Sequence, residues 1–274
     1  MNRVKRLTSL LTLWDYKKVE LETIKTKYKN YSGLVFVVSD VHIPFFDEEA
    51  VKLFFDDVKK LKPDLVVIAG DLVNFDAFSK YQYLNSEKAD KEIEKAKIFC
   101  ELLLKYCKDI IYIANNHEQR LEKLFIRLLG EEKAKQVFDL GFTFSKLLTY
   151  KNLKILSNWF LQIGDCIIAH PEVQSIIRAR PVDWTIEYFE GRIKDFNCVL
   201  IGHTHKQAKI FRKKKLGIEI GSLAKIQDYV VSSRFNGYRV DTQYLGYAQL
   251  YLNKGRTDIN KTNFITLKFE DYLL

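Results

Sequence analysis

Leu34-Val35-Phe36-Val37-Val38-Ser39-Asp40-Val41-His42 decides the fold. Its five leading residues are all apolar, three of them Val, and read as a strand covered on both faces, because no polar side is left for solvent. The run then breaks into Ser39, Asp40 and His42, groups that a buried strand does not need. The same shape recurs along the chain. The run 65–69 ends in Gly70-Asp71, the run 110–114 in Asn115-Asn116-His117, 166–169 in His170, and 198–201 in Gly202-His203-Thr204-His205. Helical stripes separate the early runs: Val51, Phe54, Phe55 and Val58 over 48–60, stopped by Pro63, then Ile93, Ala96, Cys100, Leu103 and Cys107 over 87–107. Strand–helix alternation predicts an α/β domain on a largely parallel sheet. After residue 150 short strands follow closely, at 153–156, 159–163, 166–169, 198–201, 208–212, 216–220, 237–252 and 264–269. They predict a second, more antiparallel sheet stacked on the first, with helices outside.

The chain has 274 residues, 47% hydrophobic and 29% charged, which excludes a disordered chain and supplies a core. With 12 Gly and 4 Pro there is no Gly/Pro linker, and no internal repeat is present. No apolar run approaches the ~18 residues that span a bilayer, so integral membrane association is not expected. A net charge of +9 favours phosphate-bearing partners without saying where the charge sits. Cys100, Cys107, Cys166 and Cys198 show no CxxC spacing and read as buried free thiols of a reducing compartment, hence a cytoplasmic protein. Residues 1–18 loosely imitate a signal peptide but lack a small-x-small cleavage site, and Asp15-Tyr16-Lys17-Lys18 ends the apolar stretch early. A basic amphipathic lead over 1–32 packing on a single domain over 33–274 is the expected organisation.

Open α/β sheets place ligands beyond the carboxyl ends of their strands. All five histidines, His42, His117, His170, His203 and His205, fall there. In Asp40-Val41-His42 and His203-Thr204-His205 the outer side chains are two residues apart and on extended backbone share one side. One His at a strand end is more often a capped core residue than a ligand, and an Asp there is often a turn residue. Five such ends converging would leave carboxylates and imidazoles unsatisfied without a cation. Asp40, Asp71, Asn116 and the imidazoles form an N/O donor set without thiolate, suited to Mn²⁺, with Fe, Zn²⁺ or Ni²⁺ as alternatives.

Taken in order, Asp40-Val41-His42, Gly70-Asp71, Asn115-Asn116-His117-Glu118, His170 and Gly202-His203-Thr204-His205 resemble the motifs of the calcineurin-like metallophosphoesterase superfamily, over about residues 34–222. Asn115 stands where that family has Gly, and Asn is the residue besides Gly that best tolerates positive φ. The Arg-Gly extension of the protein Ser/Thr phosphatases is absent after Gly70-Asp71, which runs into Leu72-Val73-Asn74. The resemblance implies a four-layer α-β-β-α sandwich of two mixed sheets flanked by helices. It also implies two divalent metal ions, one held by Asp40, His42 and His205, the other by Asn116, His170 and His203, with Asp71 bridging. Such a pair would turn water into a hydroxide aimed at phosphorus. His117, beside Asn116 and not expected to reach the ions, would protonate the leaving oxygen, a role open to a side chain titrating near neutrality.

Arg120, three residues past His117, is a candidate catalytic contact to a substrate phosphate, and Arg178 and Arg180 are further candidates. Arg212-Lys213-Lys214-Lys215 reads as a hairpin turn that either blunts an edge or steers anions to the site. Asp76 reads as a solvated helix start, and the tyrosines 229, 238, 244, 247 and 251 as strand packing. The favoured function is a dinuclear metal-dependent phosphoesterase, with phosphodiesters (nucleotide or nucleic acid) ahead of monoesters. A phosphomonoesterase or protein phosphatase, a catalytically weak nucleic-acid-binding module on the same fold, and a membrane-surface protein anchored through residues 1–18 stay open. The oligomeric state is not legible.

Overall fold

The computed structural model describes residues 21–79, 87–226 and 243–270. Residues 1–18, Tyr229 and Tyr238 lie outside them. The buried runs are strands, and each divides its side chains between two cores. In β1 (Gly33–Val38), β2 (Leu65–Ile68) and β3 (Asp109–Ile113), Phe36, Val38, Val66, Ile68, Ile110 and Tyr112 face the outer helices. Val35, Val37, Leu65, Val67, Ile111 and Ile113 face the other way, into a core between two sheets. That double burial is why the runs are apolar without alternation.

α1 (Glu48–Leu61) starts at Asp47, whose carboxylate accepts from the Ala50 N–H at 2.8 Å, and packs Ala50, Phe54 and Val58 inward. α2 (Ala89–Leu104) presents Ala96, Phe99, Cys100 and Leu103 to the same core. Three helices follow that the apolar stripes did not reveal: α3 (Arg120–Leu129), α4 (Glu131–Asp139) and the single turn α5 (Phe144–Leu147). β4 (Leu153–Leu156), β5 (Phe160–Ile163) and β6 (Cys166–Ala169) come next, then α6 (Arg180–Glu190), β7 (Cys198–Ile201), β8 (Gln207–Arg212) and β9 (Lys215–Ile220). The chain closes with β10 (Gln243–Asn253), β11 (Arg256–Thr257) and β12 (Asn263–Glu270).

Among the described residues the first sheet has seven strands, ordered β11-β10-β1-β2-β3-β4 with β12 also on β10. β1 to β4 run parallel; β10 pairs antiparallel with β1, β11 and β12. The second sheet has five, ordered β5-β6-β7-β9-β8, with β6, β7 and β9 parallel and both edges antiparallel. Val182, Ile186 and Phe189 of α6 cover its outer face. The layers are therefore helix, mixed sheet, mixed sheet, helix.

Two expectations are corrected. β4, β10, β11 and β12 return to the first sheet, and the second has a parallel centre. An apolar run shows that a strand is covered on both faces, not which neighbour it lies beside. The second correction concerns the hairpin at 212–215. Lys213 and Lys214, at φ 45° and 68°, make a left-handed turn between β8 and β9, as read from sequence. β9 runs parallel to β7, however, with Leu216 opposite Cys198, so the turn sits at the end of the sheet away from Gly202. Six strand residues, ~20 Å, separate the two ends. Arg212 and Lys213 there pair with Asp183 and Glu190 of α6, at 2.7 and 3.3 Å.

All four cysteines are free and buried. A helical stretch at 21–27 and the residue after it bury Ile24 and Tyr28 in the core between the sheets. Tyr247 packs in the core on Phe36, with ring centroids 4.7 Å apart. Among the described residues no helix is long and apolar enough to cross a membrane.

Candidate metal centre

Parallel register brings the chemistry together. Val38 lies opposite Ile68 and Ile68 opposite Tyr112, so the residues after β1, β2 and β3 emerge side by side. Ala169 lies opposite Ile201, which does the same for His170 and His203 on the second sheet. The two edges are stitched across the sandwich. The His203 N–H donates to Asp40 Oδ2 at 2.8 Å, and the His170 ring donates to the Ala69 carbonyl. Asp40, His42, Asp71, His203 and His205 all adopt left-handed backbone, at φ 54°, 49°, 51°, 78° and 54°. Each such residue costs of order 1 kcal/mol, a strain concentrated here. The extended backbone expected for Asp40-Val41-His42 and His203-Thr204-His205 is absent, and left-handed turns aim the side chains instead. The motif glycines make room: a Cβ on Gly70 would enter the His170 ring, and one on Gly202 would meet the Ser39 side chain.

Six predicted donors, Asp40, His42, Asp71, His170, His203 and His205, converge together with His117. His205 Nε2 stands 3.2 Å from His42 Nε2 and 3.2 Å from Asp40 Oδ1. Asp71 Oδ2 stands 3.2 Å from His170 Nε2, 3.7 Å from His117 Nε2 and 3.9 Å from His42 Nε2. Three sets have their ligand atoms within 4.8 Å of one another: Asp40, His42 and His205; Asp71, His170 and His203; and His42, Asp71 and His117. His117 thus reaches the donors, contrary to expectation, because the turn after β3 folds it back over Asp71. Asp40 Oδ1, Asp71 Oδ1, Asn116 Oδ1 and His170 Nε2 are buried without a hydrogen-bond partner. Buried polar atoms left unpaired in this way are costly by themselves and suit a divalent cation. The residues present fit one.

Charge follows the same geometry. Burial raises the Asp40 and Asp71 carboxyls, but the neighbouring imidazoles outweigh it and hold both well below the usual carboxylate range. Burial disfavours the His170 imidazolium, yet Asp71 and Asp40 push it up to about 10. His203, desolvated and beside His170, falls to about 4.

A model of the calcineurin-like phosphoesterase family matches residues 33–207, from β1 to just past His205. The chain belongs to the calcineurin-like phosphoesterase family. Its solved neighbours are distant. A conserved uncharacterised protein, a predicted phosphoesterase from Streptococcus pneumoniae TIGR4, is 15% identical, with 88% of this chain and 94% of that chain covered and a TM-score of 0.36. Wild-type Vps29 complexed with Zn²⁺ from Entamoeba histolytica is 14% identical over 86% and 99%, with a TM-score of 0.45. A novel archaeal phosphodiesterase is 13% identical over 85% and 99%, with a TM-score of 0.41. No curated protein matches the chain.

Around this candidate centre the structure adds residues that the motifs do not name. Asn74, 2% exposed, donates its amide to Asp76 at 2.6 Å, which turns its Oδ1 to His42 Nδ1 at 2.9 Å. Its carbonyl accepts from His117 Nδ1 at 2.9 Å and from Arg120 at 2.7 Å. With Nδ1 of His42, His117 and His170 each on an oxygen acceptor, it is Nε2 of all three that is turned to the centre. Buried Glu92 of α2 accepts from the Asn74 and Phe75 N–H groups at 3.0 and 2.6 Å. Buried Glu118 accepts from the Leu72 N–H at 3.0 Å, the Asn115 N–H at 2.9 Å and the Tyr112 hydroxyl. Desolvation pushes Glu92 up to about 7, and desolvation with Asp71 does the same to Glu118. A helix-face Glu reads as solvated from sequence, so only its burial reveals Glu92.

Three readings of individual residues change, those of Asn115, His117 and Asp76. Asn115 is not left-handed; its amide instead donates to the His170 carbonyl, tying the sheets where Gly offers no side chain. Burial drives His117 down to about 3, so it is a neutral acceptor near pH 7. Asp76 opens a short 3₁₀ turn but is not solvated: its side chain is 9% exposed and pairs with Arg120 at 2.9 Å. Arg120, the first residue of α3, donates to His117 Nε2 at 3.1 Å. Arg178 lies over the Tyr244 ring at 4.6 Å and Arg180 over Trp184 at 5.6 Å.

Proposed function

We propose that this chain is a dinuclear metal-dependent phosphoesterase acting on phosphodiesters, a nucleotide or a nucleic acid. The observation that carries it is Asp71 set between two imidazole groups, with buried oxygens on Asp40, Asp71 and Asn116 left without a hydrogen-bond partner. Asp40, His42 and His205 would hold one ion, Asn116, His170 and His203 the other, and Asp71 both, with Mn²⁺ the expected metal. Bound cations would supply the Lewis acidity that activates water and neutralises phosphate oxygens. The protein's own part is placement. Acceptors on Nδ1 of His42 and His170 hold these two imidazoles with Nε2 toward the ions. Arg120 offers its guanidinium beside His117, where it meets a phosphate oxygen. An anion there offsets the burial that depresses His117, which then takes up a proton and passes it to the leaving oxygen. Phosphodiesters rank first because no arginine follows Asp71 where protein phosphatases carry one.

Residues 33–274 would act as one domain behind the basic lead 1–32, in the cytoplasm, where four unpaired thiols persist. The test is a hydrolysis panel with Mn²⁺: bis-p-nitrophenyl phosphate, p-nitrophenyl phosphate, cyclic nucleotides, and single- and double-stranded oligonucleotides. Diesters should lead, and Asp71→Ala should lose activity on all. Wild-type turnover of bis-p-nitrophenyl phosphate by Asp71→Ala would overturn the assignment.

A further inference from the structure

Thr204 stands between His203 and His205, and those two histidines serve different donor groups: His203 that of Asp71 and His170, His205 that of Asp40 and His42. Whatever places Thr204 therefore bears on both groups at once. Its turn is not one that backbone adopts readily, since His203 and His205 flank it at φ 78° and 54°. The turn is held at three points. Asp40 Oδ2 accepts the His203 N–H at 2.8 Å, and the His205 carbonyl accepts the Tyr244 N–H at 3.1 Å. The third hold is between side chains of the second sheet: the Thr204 hydroxyl donates to Glu219 Oε2 at 3.1 Å and accepts the Lys206 N–H at 3.4 Å. Glu219 lies on β9 opposite Ile201, the last residue of β7, and is fully buried. A carboxylate there is costly unless its oxygens are used. It has one further use, at the start of α6, where Ala179 offers no side-chain cap and the N–H groups of Ala179 and Val182 donate to Glu219 instead.

We infer that Glu219 is a positioning residue of the metal centre, which through the Thr204 hydroxyl sets the His203 and His205 imidazoles for both ions together. This rests on the proposed dinuclear function. It differs from the part played by Asn74, whose side chain reaches one donor, His42. Without the hydroxyl the left-handed pair keeps only its backbone contacts, and both rings lose the fixed setting that ion binding draws on. Changing Thr204 leaves α6 capped by Glu219, so positioning and capping can be separated.

The experiment is a calorimetric Mn²⁺ titration of the full chain, in which the wild type should show two binding steps. Thr204→Val should weaken both by about tenfold, the lower end for a partner that orients metal ligands, and Thr204→Ser, which restores the hydroxyl, should recover both. Glu219→Leu should match Thr204→Val in Mn²⁺ affinity, and the double variant should bind no more weakly than either single one, because all three remove the same contact. The melting temperature of metal-free protein is the second readout. It should drop for Glu219→Leu, which also uncaps α6, and stay near the wild type for Thr204→Val. Should Glu219→Leu fail to fold, the two Thr204 variants carry the test alone. Weakening of one step only by Thr204→Val, or of neither, or no recovery in Thr204→Ser, would overturn the positioning role. Hydrolysis of bis-p-nitrophenyl phosphate is followed in parallel. Its absence in the wild type, with both Mn²⁺ steps and their dependence on Thr204 intact, would remove the phosphoesterase assignment and leave the positioning role standing.

Discussion

Asn74→Ala separates two functions that one residue performs. Its side chain holds His42 Nδ1 at 2.9 Å and Asp76 at 2.6 Å, while its carbonyl serves His117 and Arg120. Truncation removes only the first pair. His42 is 1% exposed, so its Nδ1–H then has no solvent to turn to, and leaving such a donor unpaired costs ~1–3 kcal/mol. A ligand released from its outer partner typically loses 10–100-fold in metal affinity, or about 1.4–2.8 kcal/mol. The two figures agree, and about 30-fold weaker Mn²⁺ binding is expected at the Asp40, His42 and His205 group. The Asp71, His170 and His203 group should hold its affinity, because His170 is oriented by the Ala69 carbonyl instead. Calorimetric Mn²⁺ titration of the full-length variant resolves the two steps. Equal weakening of both, or of neither, would refute the role given to the Asn74 side chain.

Gly70→Ala places a methyl group in the His170 ring on backbone at φ +94°, so thermal unfolding should fall by several degrees and the second Mn²⁺ step should disappear. Glu92 binds its proton more tightly folded than unfolded, with its pKa at about 7 against 4.5. Its contribution is therefore full below about pH 4.5 and is lost as pH rises through about 7. Glu92→Gln should flatten the decline in melting temperature of metal-free protein between those limits, and an unchanged profile counts against a buried, titrating Glu92. Lys213→Gln with Lys214→Gln should leave kcat/KM for a nucleotide diester within twofold at low salt, since the turn lies at the far end of the sheet. A tenfold drop would restore steering by that hairpin.

Much of this molecule is legible along the chain. Unbroken apolar runs announce doubly covered strands, and Asp, His and Asn at their ends announce the centre, because both signals are local: a few consecutive residues carry the burial and the donor atoms together. Strand partnership is not local. β4 and β10 read from sequence as short strands in the same series as β6 and β7, yet they join the other sheet, since a strand's own residues do not specify the strand beside it. The basic hairpin is recognisable from Arg212 to Lys215, but its distance from His203 depends on β9 running parallel to β7. Asn74, Glu92 and Glu118 are ordinary polar letters in sequence; only folding strips their water and aims them at His42, Asn74 and Asp71's loop. The same desolvation takes His117 from near neutrality to about 3. Donor types and their order are properties of the chain, whereas tautomers, proton affinities and the left-handed turns at Asp40, Asp71 and His203 arise only where the two sheet edges meet and exclude solvent.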